Sequence, residues 1–126
     1  KEFSSIITEK FDFYCLQFNK DKSYTGEFSQ VGIKDYTSEL SDFADTAAFL
    51  KNMDLLISVD TGIVHLAGAM GFHALVLLWY VPDWRWGISG EKCSLYESLT
   101  LIRQPVAGDW NSVFKKVFIE LNEKIE

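Results

Sequence analysis

Asp60-Thr61-Gly62, with His65 four residues after Thr61, is the group whose residue types and spacing suit chemistry best. An apolar run precedes this triplet and a helical pattern follows it, so it reads as a tight strand-to-helix turn. Such a turn presents free backbone N–H groups and the positive end of a helix dipole. An anion, and a phosphate above all, is what that geometry holds best. His65 lies one helical turn beyond Thr61 and can reach back towards the same turn. A plainer reading stands beside this one. Asp and Thr are good N-cap residues and can simply start a helix, and a His on an apolar helix can be a hydrogen-bonded core residue.

The elements that must position these residues are written in the flanking sequence. Leu55–Val59 is a short, nearly unbroken apolar run, the pattern of a strand buried on both faces of a parallel sheet. Ile63, Leu66, Ala67 and Met70 then recur at helical spacing, with Gly71 as C-cap. Ala74–Trp79 is a second buried apolar strand, and Pro82–Gly90 a loop dense in Trp. Asp83-Trp84-Arg85-Trp86 therefore falls at the same carboxyl edge as the turn, the edge where open α/β sheets bind ligands. Arg85 can pair with a phosphate and Trp84 or Trp86 can stack on a base or sugar. Alternatively the tryptophans plug the sheet edge while Arg85 stacks on them or pairs with an acid.

Elsewhere, residues 2–9 read as the end of a helix, Phe11–Phe18 as a strand and Asn19–Ser29 as a loop. Val31–Ile33 is a short strand, and Ser41 or Asp42 starts a helix over Phe43–Met53 with Phe43, Ala47, Phe49 and Leu50 on its core face. Phe11, Phe13 and Phe18 are also expected in the core. Leu101–Ile102 is a short strand, after which Arg103 answers an acid such as Asp83 or Asp109. A last helix begins at Asp109 or Asn111 and carries Val113, Phe114, Val117, Phe118 and Leu121 at helical spacing. Glu39, Asp42 and Asp45 read as capping residues and dipole complements. Strands alternating with helices predict one α/β domain over 1–126, with strands 12–18, 55–59, 74–79 and 100–103 parallel in a Rossmann-like sheet covered by helices on both faces.

Val59 to Ala69 resembles the donor-site motif of the ADP-heptose:lipopolysaccharide heptosyltransferases. More broadly, the chain resembles the glycosyltransferase-like C-terminal domain that often follows tetratricopeptide repeats in bacterial proteins. That likeness takes in Asp42–Ala48, Asp83–Trp86, Tyr96 and Ser98, Arg103-Gln104-Pro105 and Gly108-Asp109-Trp110, and covers about residues 13–121. The resemblance implies the C-terminal half of a GT-B glycosyltransferase, the half that binds a nucleotide diphosphate sugar. It implies inverting, metal-independent hexosyl or heptosyl transfer, with the donor diphosphate at Asp60, Thr61, Gly62 and His65. It suggests Glu39 for the ribose hydroxyls and places the general base in an N-terminal half, on the same or another chain. A non-catalytic binding or interaction module that keeps the inherited fold is the alternative. Family members place a further strand before the segment that begins this chain, so a partial domain is expected. Its sheet should then have a gap, a direct pairing of strands 12–18 and 55–59, or an edge covered by a second chain in a homodimer.

Composition narrows the remaining classes. The chain has 126 residues, 48 % of them hydrophobic, enough for one domain with a core. A net charge of -6 argues against a nucleic-acid or anionic-membrane surface. No apolar run approaches a membrane span, Lys1–Ser5 is no signal peptide, and Cys15 and Cys93 lack metal spacing. Reduced thiols and a cytoplasmic location are the expectation. A receiver domain would need an acidic pair and a late lysine that are missing, and no Walker loop or G-x-G-x-x-G occurs. The only small molecule expected is the nucleotide-sugar substrate, with no cofactor and no metal.

Overall fold

A computed structural model describes residues 2–17 and 29–125. Strand β1 (Phe13–Cys15) pairs in parallel with β2 (Ile33–Asp35), Phe13 opposite Ile33. The chain continues through helix α1 (Phe43–Leu50), strand β3 (Leu56–Val59), helix α2 (Gly62–Ala69) and strand β4 (Ala74–Leu78). A 3-10 turn at Trp84–Trp86, strand β5 (Leu99–Arg103) and helix α3 (Trp110–Ile125) complete it. β3, β4 and β5 form a parallel sheet in that order, with Leu56 opposite Ala74 and Ala74 opposite Leu99. The protein is thus α/β with parallel strands, compatible with a Rossmann-like fold. The strands are divided between two small sheets, because β1 pairs with β2 and not with β3. Ser29 apart, the expected loop 19–29 and the expected core residue Phe18 lie outside the described residues.

Strand alternation explains how β4 and β5 divide their side chains. Ala74, Val76, Leu78, Leu99 and Leu101 face a core built with Leu50 of α1 and Val64 and Ala67 of α2. Leu75, Leu77 and Ile102 face the opposite side, against Val113, Phe114, Val117 and Leu121 of α3. Helices therefore cover both faces of this sheet. Every residue of β4 is buried, as a central strand requires.

β3 departs from the expectation of burial on both faces. Leu56 is buried, Ile57 and Ser58 are half-buried and Val59 is exposed, because among the described residues β3 has a strand on one side only. Phe43 also departs from its expected core place and is 63 % exposed. It sits at the first position of α1, where its ring lies against Gly62, so a Cβ there would stand 3.3 Å from the ring. Phe118 is likewise exposed, on the outer side of α3. Among the described residues no helix is long and apolar enough to cross a membrane.

Candidate functional site

The turn 60–62 joins β3 to α2 at the carboxyl end of the parallel sheet, as the sequence pattern requires. Thr61 occupies the N-cap position, yet its side chain makes no capping hydrogen bond. Its hydroxyl turns the other way, donating to the Val59 carbonyl at 3.3 Å and lying 3.2 Å from the Ser58 hydroxyl. Ser58 Oγ donates to the same carbonyl at 2.9 Å. Asp60 is exposed and caps nothing. The N–H groups of Gly62 and Ile63 consequently have no partner among the described residues, while Val64 N–H returns to the Thr61 carbonyl at 3.1 Å.

The starts of α1, of the 3-10 turn at Trp84–Trp86 and of α3 are closed by aspartates. Asp42 accepts from Asp45 N–H at 2.8 Å, and Asp45 reaches back to the Ser41 hydroxyl and N–H at 2.6 and 3.0 Å. The Ser41 hydroxyl holds the Asp45 carboxyl below the usual carboxylate range, with the Ser41 N–H adding to it. Asp83 accepts from Arg85 N–H at 3.1 Å, which lowers its carboxyl, and Asp109 is lowered by the Ser112 hydroxyl at 2.6 Å and then by the Ser112 N–H at 3.0 Å. The capping reading of Asp42 and Asp45 therefore describes their geometry. Glu39 ends a short 3-10 turn and is exposed.

His65 occupies the fourth position of α2, where side chains lean back towards the helix start. Its Nδ1 lies 3.3 Å from the Tyr96 hydroxyl, and its ring stacks on Trp86 at 5.4 Å and 28°. Trp86 is the tryptophan that plugs the edge, only 3 % exposed, with its Nε1 buried and without a partner among the described residues. Trp84 does no plugging and is 81 % exposed. Arg85 follows the plainer reading on both counts. It pairs with Asp83 at 2.8 Å and lies over the Trp84 ring at 5.1 Å.

Arg103 does not answer an acid. Its guanidinium donates to the backbone carbonyls of Trp86, Gly87, Ser89 and Gly90, the last at 2.8 Å. Asp83 and Asp109 are already engaged locally, so the cation is matched by carbonyl dipoles and not by a carboxylate. Partial burial pushes its pKa down. Gln104 holds the neighbouring corner, its Oε1 accepting from Tyr80 N–H at 3.2 Å and Gly108 N–H at 3.0 Å.

Two residues that the sequence offered only as parts of longer motifs thus frame the site. Tyr96 comes from the loop before β5, and Gly68 lies under its ring, where an added Cβ would stand 2.3 Å from the Tyr96 ring. The edge itself is an open shelf. Hollows of about 490 Å³ beside Glu91, Glu97 and Thr100 and about 310 Å³ beside Phe118 and Asn122 lie away from it and gather no comparable set of donors. Among the described residues no three His, Cys, Asp or Glu side chains gather as a metal site would need. Chemically, the shelf offers two bare N–H groups, two hydroxyls and one imidazole, a set suited to an acceptor-only ligand. The chain matches no known protein family, no curated protein and no solved structure.

Proposed function

We propose that the chain is the donor-binding half of a glycosyltransferase, holding the diphosphate of a nucleotide diphosphate sugar at residues 60–65. The observation that supports this reading is the bare first turn of α2, left uncapped although Asp60 and Thr61 stand beside it. Two unpaired N–H groups at the positive end of a helix attract an anion. In sugar transfer, negative charge grows on the departing diphosphate. The amides of Gly62 and Ile63 and the His65 imidazole would stabilise that charge without rearranging. The Thr61 hydroxyl, now turned to Val59, reaches the same ligand after one side-chain rotation. The base that deprotonates the acceptor comes from a separate half, on this or another chain, so the chain binds donor more readily than it transfers sugar.

Calorimetric titration with UDP, GDP and ADP tests the proposal. Heat from at least one, with chemical-shift changes confined to residues 60–65 and their neighbours, supports it. No heat from any of them overturns it. The second reading, an interaction module that retains the fold, draws on a separate observation. Tyr80, Val81 and Trp84 are exposed apolar side chains following β4 on the same edge, the residue types that partner surfaces bury.

A further inference from the structure

We infer that Tyr96 is a positioning residue that fixes the tautomer of His65, so that an N–H and not a lone pair is offered to the ligand. The inference deepens the donor-site reading and rests on it for the ligand's identity. The His65 ring is held on two sides. Trp86 stacks on one, and the Tyr96 ring meets it edge-on at 5.9 Å and 70°. Both walls are themselves fixed. Arg103 gathers the carbonyls of Trp86 and the residues after it, and the Tyr96 ring lies against α2 where Gly68 leaves room for it.

A neutral imidazole carries one proton, and the partner of one nitrogen decides which nitrogen holds it. The Tyr96 hydroxyl lies 3.3 Å from Nδ1, and with that hydroxyl as the donor, the role we assign it, the ring proton sits on Nε2. Nε2 makes no hydrogen bond to any described residue and remains available. A diphosphate oxygen only accepts, so it is bound by Nε2–H and repelled by the bare nitrogen of the other tautomer. The pair thus selects a ligand whose contacting atoms are all acceptors and disfavours one that presents a hydroxyl or amide donor there.

Long-range nitrogen-15 correlation spectra of the free protein at about pH 9, well above the range in which histidines in general titrate, read the tautomer directly. The chain has only two histidines, so His73 serves as the internal reference. His65 is expected to be protonated at Nε2 alone, and Tyr96→Phe should move its Nδ1 resonance while leaving His73 in place. An Nδ1-protonated His65, or an unmoved Nδ1 in the variant, overturns the inference. This arm needs no ligand, so its outcome is separate from the donor-site reading. The second arm uses UDP as probe. Tyr96→Phe should weaken UDP by about three- to tenfold in the parent and cause no further loss in a His65→Ala background. Equal losses in both backgrounds would show that Tyr96 acts otherwise than through His65 and would also overturn it.

Discussion

Helices α1 and α2 begin with similar materials and end up differently. α1 follows Ser41-Asp42; the Asp42 carboxylate closes its first turn, and the Asp45 carboxylate reaches back to accept from Ser41. α2 follows Asp60-Thr61, equally able to cap, and neither does so. Satisfying an orphan N–H by a cap is worth about 1 kcal/mol, so leaving it undone forgoes stability that the adjacent residues could supply. The difference teaches that the identity of N-cap residues does not decide whether a helix start is closed. At α2 the Val59 carbonyl competes for the Thr61 hydroxyl and wins, since the last strand carbonyl, on the side away from β4, has no strand partner among the described residues.

The sharpest way to break the comparison is to remove the side chains beside the bare turn. Thr61→Ala together with His65→Ala should weaken UDP more than tenfold, at about 1.5–3 kcal/mol for each hydrogen bond to a charged oxygen. Because Thr61 caps nothing, Thr61→Ala alone should shift folding stability by less than about 0.5 kcal/mol in urea titration. A loss near 1 kcal/mol would restore the capping reading. The converse change, Thr61→Asp, places a carboxylate where the anion would lie. It should stabilise the fold by about 0.5–1 kcal/mol while abolishing measurable UDP binding.

Breaking the closed start gives a smaller and different result. Asp42→Ala should cost about 1 kcal/mol of stability by urea denaturation and leave UDP affinity unchanged. The smallest expected effect is in acid. The folded pKa of Asp45 lies below its unfolded value, so its contribution is present above the ordinary carboxylate range and is lost as pH falls through the lowered value. Asp83 and Asp109 behave alike, so Asp45→Asn should flatten only part of the acid limb of the stability curve. An acid limb identical to the parent's would show that the Ser41–Asp45 bonds do not persist in solution.

Much of this fold was legible because its signals are local. The apolar run Ala74–Trp79 gave β4 within a residue, and Val113, Phe114, Val117 and Leu121 gave the buried stripe of α3. Gly71, with φ of 66°, ends α2 as its place after the apolar stripe requires. What was illegible depends on distant partners. Phe43 fits the helical stripe of α1, but a stripe does not say how far the covering layer extends, and at the sheet edge it stops at Gly62. Arg103 was matched to acids because side-chain types are visible in a sequence, whereas the carbonyls it binds belong to every residue. The contact between Gly68 and Tyr96 joins separate elements, and neither residue type announces it. Within the site, the turn could be read and the closure of its N–H groups could not, since that depends on which acceptor a hydroxyl prefers.

The Arg103 clamp also bears on the order in which the molecule assembles. Arg103 is the last residue of β5, and the carbonyls it gathers lie 13 to 17 residues before it in the chain. The segment 86–90 cannot take its final course until β5 has docked beside β4, and the Trp86 wall against His65 is completed only with it. Contacts that await such a closure form after the local turns and helices. Amide exchange in α2 should therefore separate into two classes, an early-protected helix body and a late-protected imidazole seat. A guanidinium keeps its proton at any ordinary pH, so that late step should run at the same rate in mild acid as in mild base.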